Sequence, residues 1–214
     1  ADVVICAGAQ VTLDATTPGA TYLWSNGSVG PTLNTSTAGP YSVGVTVNGC
    51  TGTDAVNVSV TPLPVVNIGP DQTVCPGTPI TLVATTPGGS YLWSDGSANS
   101  TLTTSTPGNY SVQVTVNGCS SSDAMVLTNH VLPVFNLGPD QTICAGPGAA
   151  AFTATVPGAT YLWNTGNATN SIQPTTAGTY WLDVTTNGCT VRDSIDLFVT
   201  PLPVIDLGAD LSVC

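Results

Sequence analysis

Charge is what this sequence has least of. Only 6% of its 214 residues are charged, against about 25% in an average soluble domain. The acidic residues are all aspartate, lysine and glutamate are missing, and Arg192 is the one basic side chain, so the formal net charge is −11. Lys, Glu, Gln and Arg normally fill exposed helix positions, and here Thr, Ser, Val, Gly and Asn take their places, which points away from helices and toward strands. A surface with one arginine cannot neutralise phosphates, which excludes nucleic acid as a partner, and its sign opposes anionic membranes. Long hydrophobic runs are also missing. Thr, Asn or Pro interrupts each apolar stretch, far short of the roughly 20 residues that span a bilayer, so no membrane insertion is expected in this segment. Nor does Ala1 open a basic region followed by the apolar core of a signal peptide.

What is present is a repeat. Hydrophobic residues make up 42% of the chain, enough for packed cores, and the seven cysteines fall at Cys6, Cys50, Cys75, Cys119, Cys144, Cys189 and Cys214, a period of 69 or 70 residues. Tyr22-Leu23-Trp24, Tyr91-Leu92-Trp93 and Tyr161-Leu162-Trp163 keep that register, as do Asn48-Gly49-Cys50, Asn117-Gly118-Cys119 and Asn187-Gly188-Cys189. The third copy carries one extra residue between Cys144 and Tyr161, as a loop insertion would. Pro-containing stretches around Pro62-Leu63-Pro64, Leu132-Pro133 and Pro201-Leu202-Pro203 read as short, stiff linkers. The expected organisation is repeat 1 over 1–64, incomplete at its start, repeat 2 over 65–133, repeat 3 over 134–203 and the start of a fourth over 204–214. Because residues 1–6 and 209–214 share a phase, the chain reads as a window of a longer array.

Within one copy, Tyr41, Val43, Val45 and Val47 alternate with small or polar residues, the period of a half-buried strand. The run enters Asn48-Gly49, a type I′ hairpin signal, and a second alternating run follows over Val56, Val58 and Val60. About seven short strands fit each copy, and the expected fold is all-β: a tandem array of small immunoglobulin-like β-sandwiches, with Trp24, Trp93 and Trp163 in the cores. Trp181 falls on the opposite phase to Tyr180 and Leu182. It is expected to face outward as a candidate ligand contact, for a sugar or a neighbouring domain.

Recurring cysteine pairs in so small a module indicate disulfides and an oxidising, extracellular setting. The expected pairing is within each copy, Cys6 to Cys50, Cys75 to Cys119 and Cys144 to Cys189, with Cys214 bonded to a partner outside the window. Pairing Cys50 with Cys75 is opposed by the length of the strand between them. Pairing Cys6 with Cys119 would staple successive copies together and stays open.

Raw material for catalysis is thin, so no enzyme is expected. The single histidine, His130, replaces a linker threonine, and no nucleophile and base recur with the repeat. Asp71 and Asp140 precede the first cysteine of their copies, and Asp54 and Asp123 follow the second. Recurring carboxylates near junctions are candidate ligands for calcium, which takes oxygen donors; capping of turns and solubility are the alternative roles. No other cofactor is implied.

The motifs L-G-P-D-Q-T-x-C, Y-L-W-S-x-G and G-x-Y-x-V-x-V-T-x-N-G-C resemble the immunoglobulin-like and PKD-like repeats of very large Bacteroidota surface proteins, including gliding-motility adhesins exported by the type IX system. The resemblance covers every copy. It implies a cell-surface stalk for adhesion, with a self-assembling filament subunit or carbohydrate-binding modules as alternatives. Its partners would be neighbouring repeats, surface glycans or other protein subunits. Asp193-Ser194-Ile195 is similar to the acceptor motif for O-glycosylation in that phylum, which makes Ser194 a candidate glycosylation site. The chain departs from antibody-type domains in the spacing of tyrosine and cysteine: Cys50 follows Tyr41 by nine positions rather than two.

Overall fold

The computed structural model describes residues 1–146, 148–206 and 208. Eighteen strands and no helix occur among them. The first copy contributes β1 (Val3–Cys6), β2 (Val11–Asp14), β3 (Thr21–Trp24), β4 (Thr32–Thr35), β5 (Gly39–Val47) and β6 (Cys50–Thr61). The second contributes β7 (Gln72–Val74), β8 (Ile80–Val83), β9 (Ser90–Trp93), β10 (Thr101–Thr104), β11 (Gly108–Val116) and β12 (Cys119–Asn129). The third contributes β13 (Gln141–Cys144), β14 (Phe152–Thr153), β15 (Thr160–Trp163), β16 (Ser171–Ile172), β17 (Gly178–Thr186) and β18 (Cys189–Thr200).

Each copy folds into two sheets. In the first copy they are β1-β6-β5-β3 and β2-β4, and the other copies repeat this order. The chain crosses between sheets at β1 to β2, β2 to β3, β3 to β4 and β4 to β5, the connectivity of an immunoglobulin-like sandwich. The long hairpins β5–β6, β11–β12 and β17–β18 turn on Asn48, Asn117 and Asn187, whose φ values near 50° are followed by a positive-φ glycine, as a type I′ turn requires. The chain is an all-β tandem array of small immunoglobulin-like sandwiches.

Six strands per copy, not about seven, satisfy the backbone. The proline-flanked stretches leading into the second and third sandwiches stay outside the ladders because amides of theirs bond to side chains instead, as described below. By compactness the chain divides into two units, Ala1–Gln72 with Pro79–Leu127 and Thr73–Thr78 with Thr128–Cys214.

Each sandwich closes on its own apolar cluster. Leu13, Trp24, Leu33, Val43 and Val58 form the first; Leu82, Trp93, Val112, Val114 and Met125 center the second; Phe152, Trp163, Leu182, Val184 and Ile195 center the third. The three tryptophans are buried as expected, and each indole N–H donates to a backbone carbonyl six residues on, Gly30, Asn99 or Thr169, at 2.8 to 2.9 Å. That bond removes the one polar cost of burying indole.

Candidate functional site

The first strand of each copy decides the cysteine chemistry. β1 pairs with β6 in parallel, with Val3 opposite Val58 and Cys6 opposite Thr61. Cys50 begins β6, which is 12 residues long. Cys6 and Cys50 therefore stand at opposite ends of one strand pair, roughly 36 Å apart at 3.3 Å per residue, whereas a disulfide needs Cα atoms within about 7 Å. β13 and β18 repeat the register, with Cys144 opposite Thr200.

The expected pairing within copies is thus corrected. Cys6 bonds Cys119 and Cys75 bonds Cys189, each with Cα atoms 5.5 Å apart. The first cysteine of one copy joins the second cysteine of the next. The first bond lies inside one compact unit and the second inside the other. Cys119 and Cys189 are buried, while Cys50 and Cys144 are unpaired and exposed. Cys214 lies outside the described residues.

The phased aspartates have structural partners. Asp2, Asp71 and Asp140 accept the backbone N–H of Asn57, Val126 and Asp196, at 2.8 to 3.1 Å. Each carboxylate thereby adds one rung beside its short parallel strand. The second set holds the lead-in segment: Ile68 N–H donates to Asp123 Oδ2 and Leu137 N–H to Asp193 Oδ2, both at 2.8 Å. Ile68 and Leu137 are buried in the second and third cores, so the residues that follow the exposed proline stretches are core elements. Asp54 accepts only the adjacent Ala55 N–H, through Oδ1, among the described residues. No group of three or more His, Cys or Asp side chains is assembled among the described residues, so the calcium candidates Asp54, Asp71, Asp123 and Asp140 do not converge there.

Trp181 lies on the outward face of β17, opposite Ser194 on β18. Its ring is half-buried rather than open, because the Arg192 guanidinium stacks 3.6 Å from the ring centroid. The same guanidinium makes two 2.7 Å bonds to Asp183, its cross-strand neighbour. The hydrogen bond from Arg192 holds the Asp183 carboxyl below the usual aspartate range against a smaller opposing effect of burial, and it raises Arg192 in turn. A depressed carboxyl stabilises the fold above its ordinary pKa and loses that contribution as pH falls through the lowered value. Arg192→Ala is therefore expected to lower the melting temperature slightly at neutral pH, with the deficit closing below about pH 3.8; a deficit unchanged at pH 2 would contradict the ion pair. Ser194 is exposed on its strand.

Sequence reasoning missed the tyrosine hydroxyls. Tyr22, Tyr91 and Tyr161 each reach back five residues and bond both N–H and C=O of Thr17, Thr86 or Val156, at 2.8 to 2.9 Å. The signal was the fixed spacing between tyrosine and the preceding Pro-Gly turn.

No protein-family model matches the chain, and no curated protein shows significant similarity to it. Solved structures do. Extracellular domains 3–5 of Drosophila OTK are 14% identical over 93% of this chain and 94% of that one, with a TM-score of 0.37. A three-domain I-band fragment of titin is 14% identical over 93% and 95%, with a TM-score of 0.42. Sidekick-1 immunoglobulin domains 1–5 are 15% identical over 94% of this chain and 57% of that one, with a TM-score of 0.33.

Proposed function

We propose that this chain is a non-enzymatic repeat segment of a large extracellular protein, and that its bridged sandwiches form a load-bearing stalk for adhesion at a cell surface. The observation that carries this reading is the Cys6–Cys119 bond, which joins successive copies covalently. Such a bond takes tension past the intervening fold, so pulling on the chain does not have to extend a whole copy. Disulfides persist in oxidising compartments, and a surface with twelve carboxylates and one arginine repels its own kind in solution. Among the described residues the core tryptophans are buried, and the phased Asp2, Asp71, Asp123, Asp140 and Asp193 hold backbone amides.

Single-molecule stretching tests the reading. With the bridges closed, steps from whole copies are expected to be absent; adding reductant should produce steps of roughly 240 Å, the extended length of about 69 residues at 3.5 Å each. Identical step lengths with and without reductant would sink the load-bearing role.

A further inference from the structure

The third copy departs from the other two at one corner of its sandwich. In the first and second copies a threonine, Thr35 or Thr104, ties a tyrosine to the loop before its strand. Its Oγ1 accepts the N–H of Thr37 or Thr106 at 3.1 to 3.2 Å and lies 2.6 to 2.7 Å from the hydroxyl of Tyr41 or Tyr110. Each tyrosine hydroxyl donates to the carbonyl of Thr37 or Thr106. Its one proton is thereby used, so the threonine supplies the proton between the two hydroxyls. Pro174 holds this position in the third copy, six residues before Tyr180. Tyr180 keeps its bond to the Thr176 carbonyl at 2.9 Å. Among the described residues, however, its oxygen receives no donor and the Thr176 N–H has no acceptor.

A second internal bond is missing beside the first. Thr12 donates to Asn34, and Thr81 pairs with Thr103, across the two-stranded sheets of the first two copies. Their counterparts in the third are Ala151, which has no hydroxyl, and Gln173. The strand shortens as well: β16 has two residues where β4 and β10 have four. Ala150 N–H still donates to the Pro174 carbonyl, but proline has no N–H with which to return the bond. A cavity of about 260 Å³ opens here, lined among others by Thr165, Asn167, Ile172, Gln173, Thr176 and Tyr180. No charged side chain lines it among the described residues.

We propose that this cavity binds one ring of a neutral saccharide. A sugar hydroxyl both accepts and donates. One such group takes the Thr176 N–H and gives its proton to the Tyr180 oxygen, the two bonds that Thr35 and Thr104 make inside their own copies. The amides of Gln173 and Asn167 and the hydroxyl of Thr165 serve the neighbouring sugar hydroxyls, while Ile172 and the tyrosine ring supply apolar surface for the C–H groups of the ring. The volume is below the roughly 300–1,000 Å³ of sites for drug-sized ligands, which suits a single ring. The excess of carboxylates on the chain disfavours anionic sugars. The site makes no use of Trp181, whose ring Arg192 covers, and it is independent of whether the repeats bear load.

Nuclear magnetic resonance of the isotope-labelled 214-residue chain tests the proposal. The probes are the methyl glycosides of glucose, galactose, mannose and N-acetylglucosamine, titrated through the millimolar range. At least one is expected to shift the amides of Asn167, Gln173, Thr175 and Thr176 and to leave their second-copy counterparts Ser97, Thr103, Ser105 and Thr106 in place. Pro174→Thr restores the internal threonine and should weaken binding at least tenfold without lowering the melting temperature. Gln173→Ala alters an exposed side chain and should weaken it about threefold or more, which keeps the test decisive if the first variant misfolds. No shift with any of the four glycosides, equal shifts in the second copy, or unchanged affinity in the folded variants would each overturn the proposal. Binding of methyl glucuronoside as tight as that of the glucoside would overturn the neutral ligand.

Discussion

Digestion of the unreduced monomer with an Asp-specific protease is expected to release Cys6 joined to Cys119 and Cys75 joined to Cys189, with Cys50 and Cys144 open to alkylation. Replacing both Cys6 and Cys119 with alanine should cost about 4–5 kcal/mol by the chain-entropy account, because the bond closes a loop of more than a hundred residues. Against the roughly 5–15 kcal/mol that holds a typical domain together, that is the largest single-site effect expected here. Urea denaturation of the double variant measures it. Fragments joining Cys6 to Cys50 would contradict the parallel register of β1 and β6, and a loss below 1 kcal/mol would mean that the bond constrains little of the unfolded chain.

Leu137→Ala is expected to cost about 2–5 kcal/mol, the range for truncating a buried leucine. The reason is specific. Leu137 is 7% exposed among Phe152, Trp163 and Ile195, and it precedes β13 in a stretch that forms no strand. Its backbone bond to Asp193 survives the substitution, so the loss reads side-chain packing alone. A spacer residue would change stability by no more than about 0.5 kcal/mol. Urea denaturation followed by tryptophan emission separates the two, and a small effect would make residues 135–137 a spacer rather than part of the core.

Much of the fold was legible because period-two patterns and turn chemistry are local. Tyr41, Val43 and Val45 alternate along one strand, Asn48-Gly49 takes the positive φ that its turn needs, and the tryptophans are the largest apolar groups in each copy. The lead-in segments were not legible in the same way. Val66, Ile68, Phe135 and Leu137 lie beside prolines, and proline next to short apolar runs describes a connector as well as it describes a core plug. What distinguishes the two is a carboxylate about 55 residues away in sequence, at Asp123 or Asp193, that receives the segment's amide. Trp181 was rightly placed on the outer face, but its cover by Arg192 needed the cross-strand register of β17 and β18.

From the sequence alone came the all-β class, the repeat and its phase, the hairpin turns and the buried tryptophans. All of these follow from composition and from spacings within one copy. Tertiary structure decided which cysteines meet and that the aspartates hold backbone amides. The physical reason lies in β1: a first strand that runs parallel to the last carries Cys6 to the far end of β6 from Cys50, toward the next copy. Spacing between cysteines is the same whether that strand pairs parallel or antiparallel, and only the pairing direction tells a bond within a copy from a bond between copies.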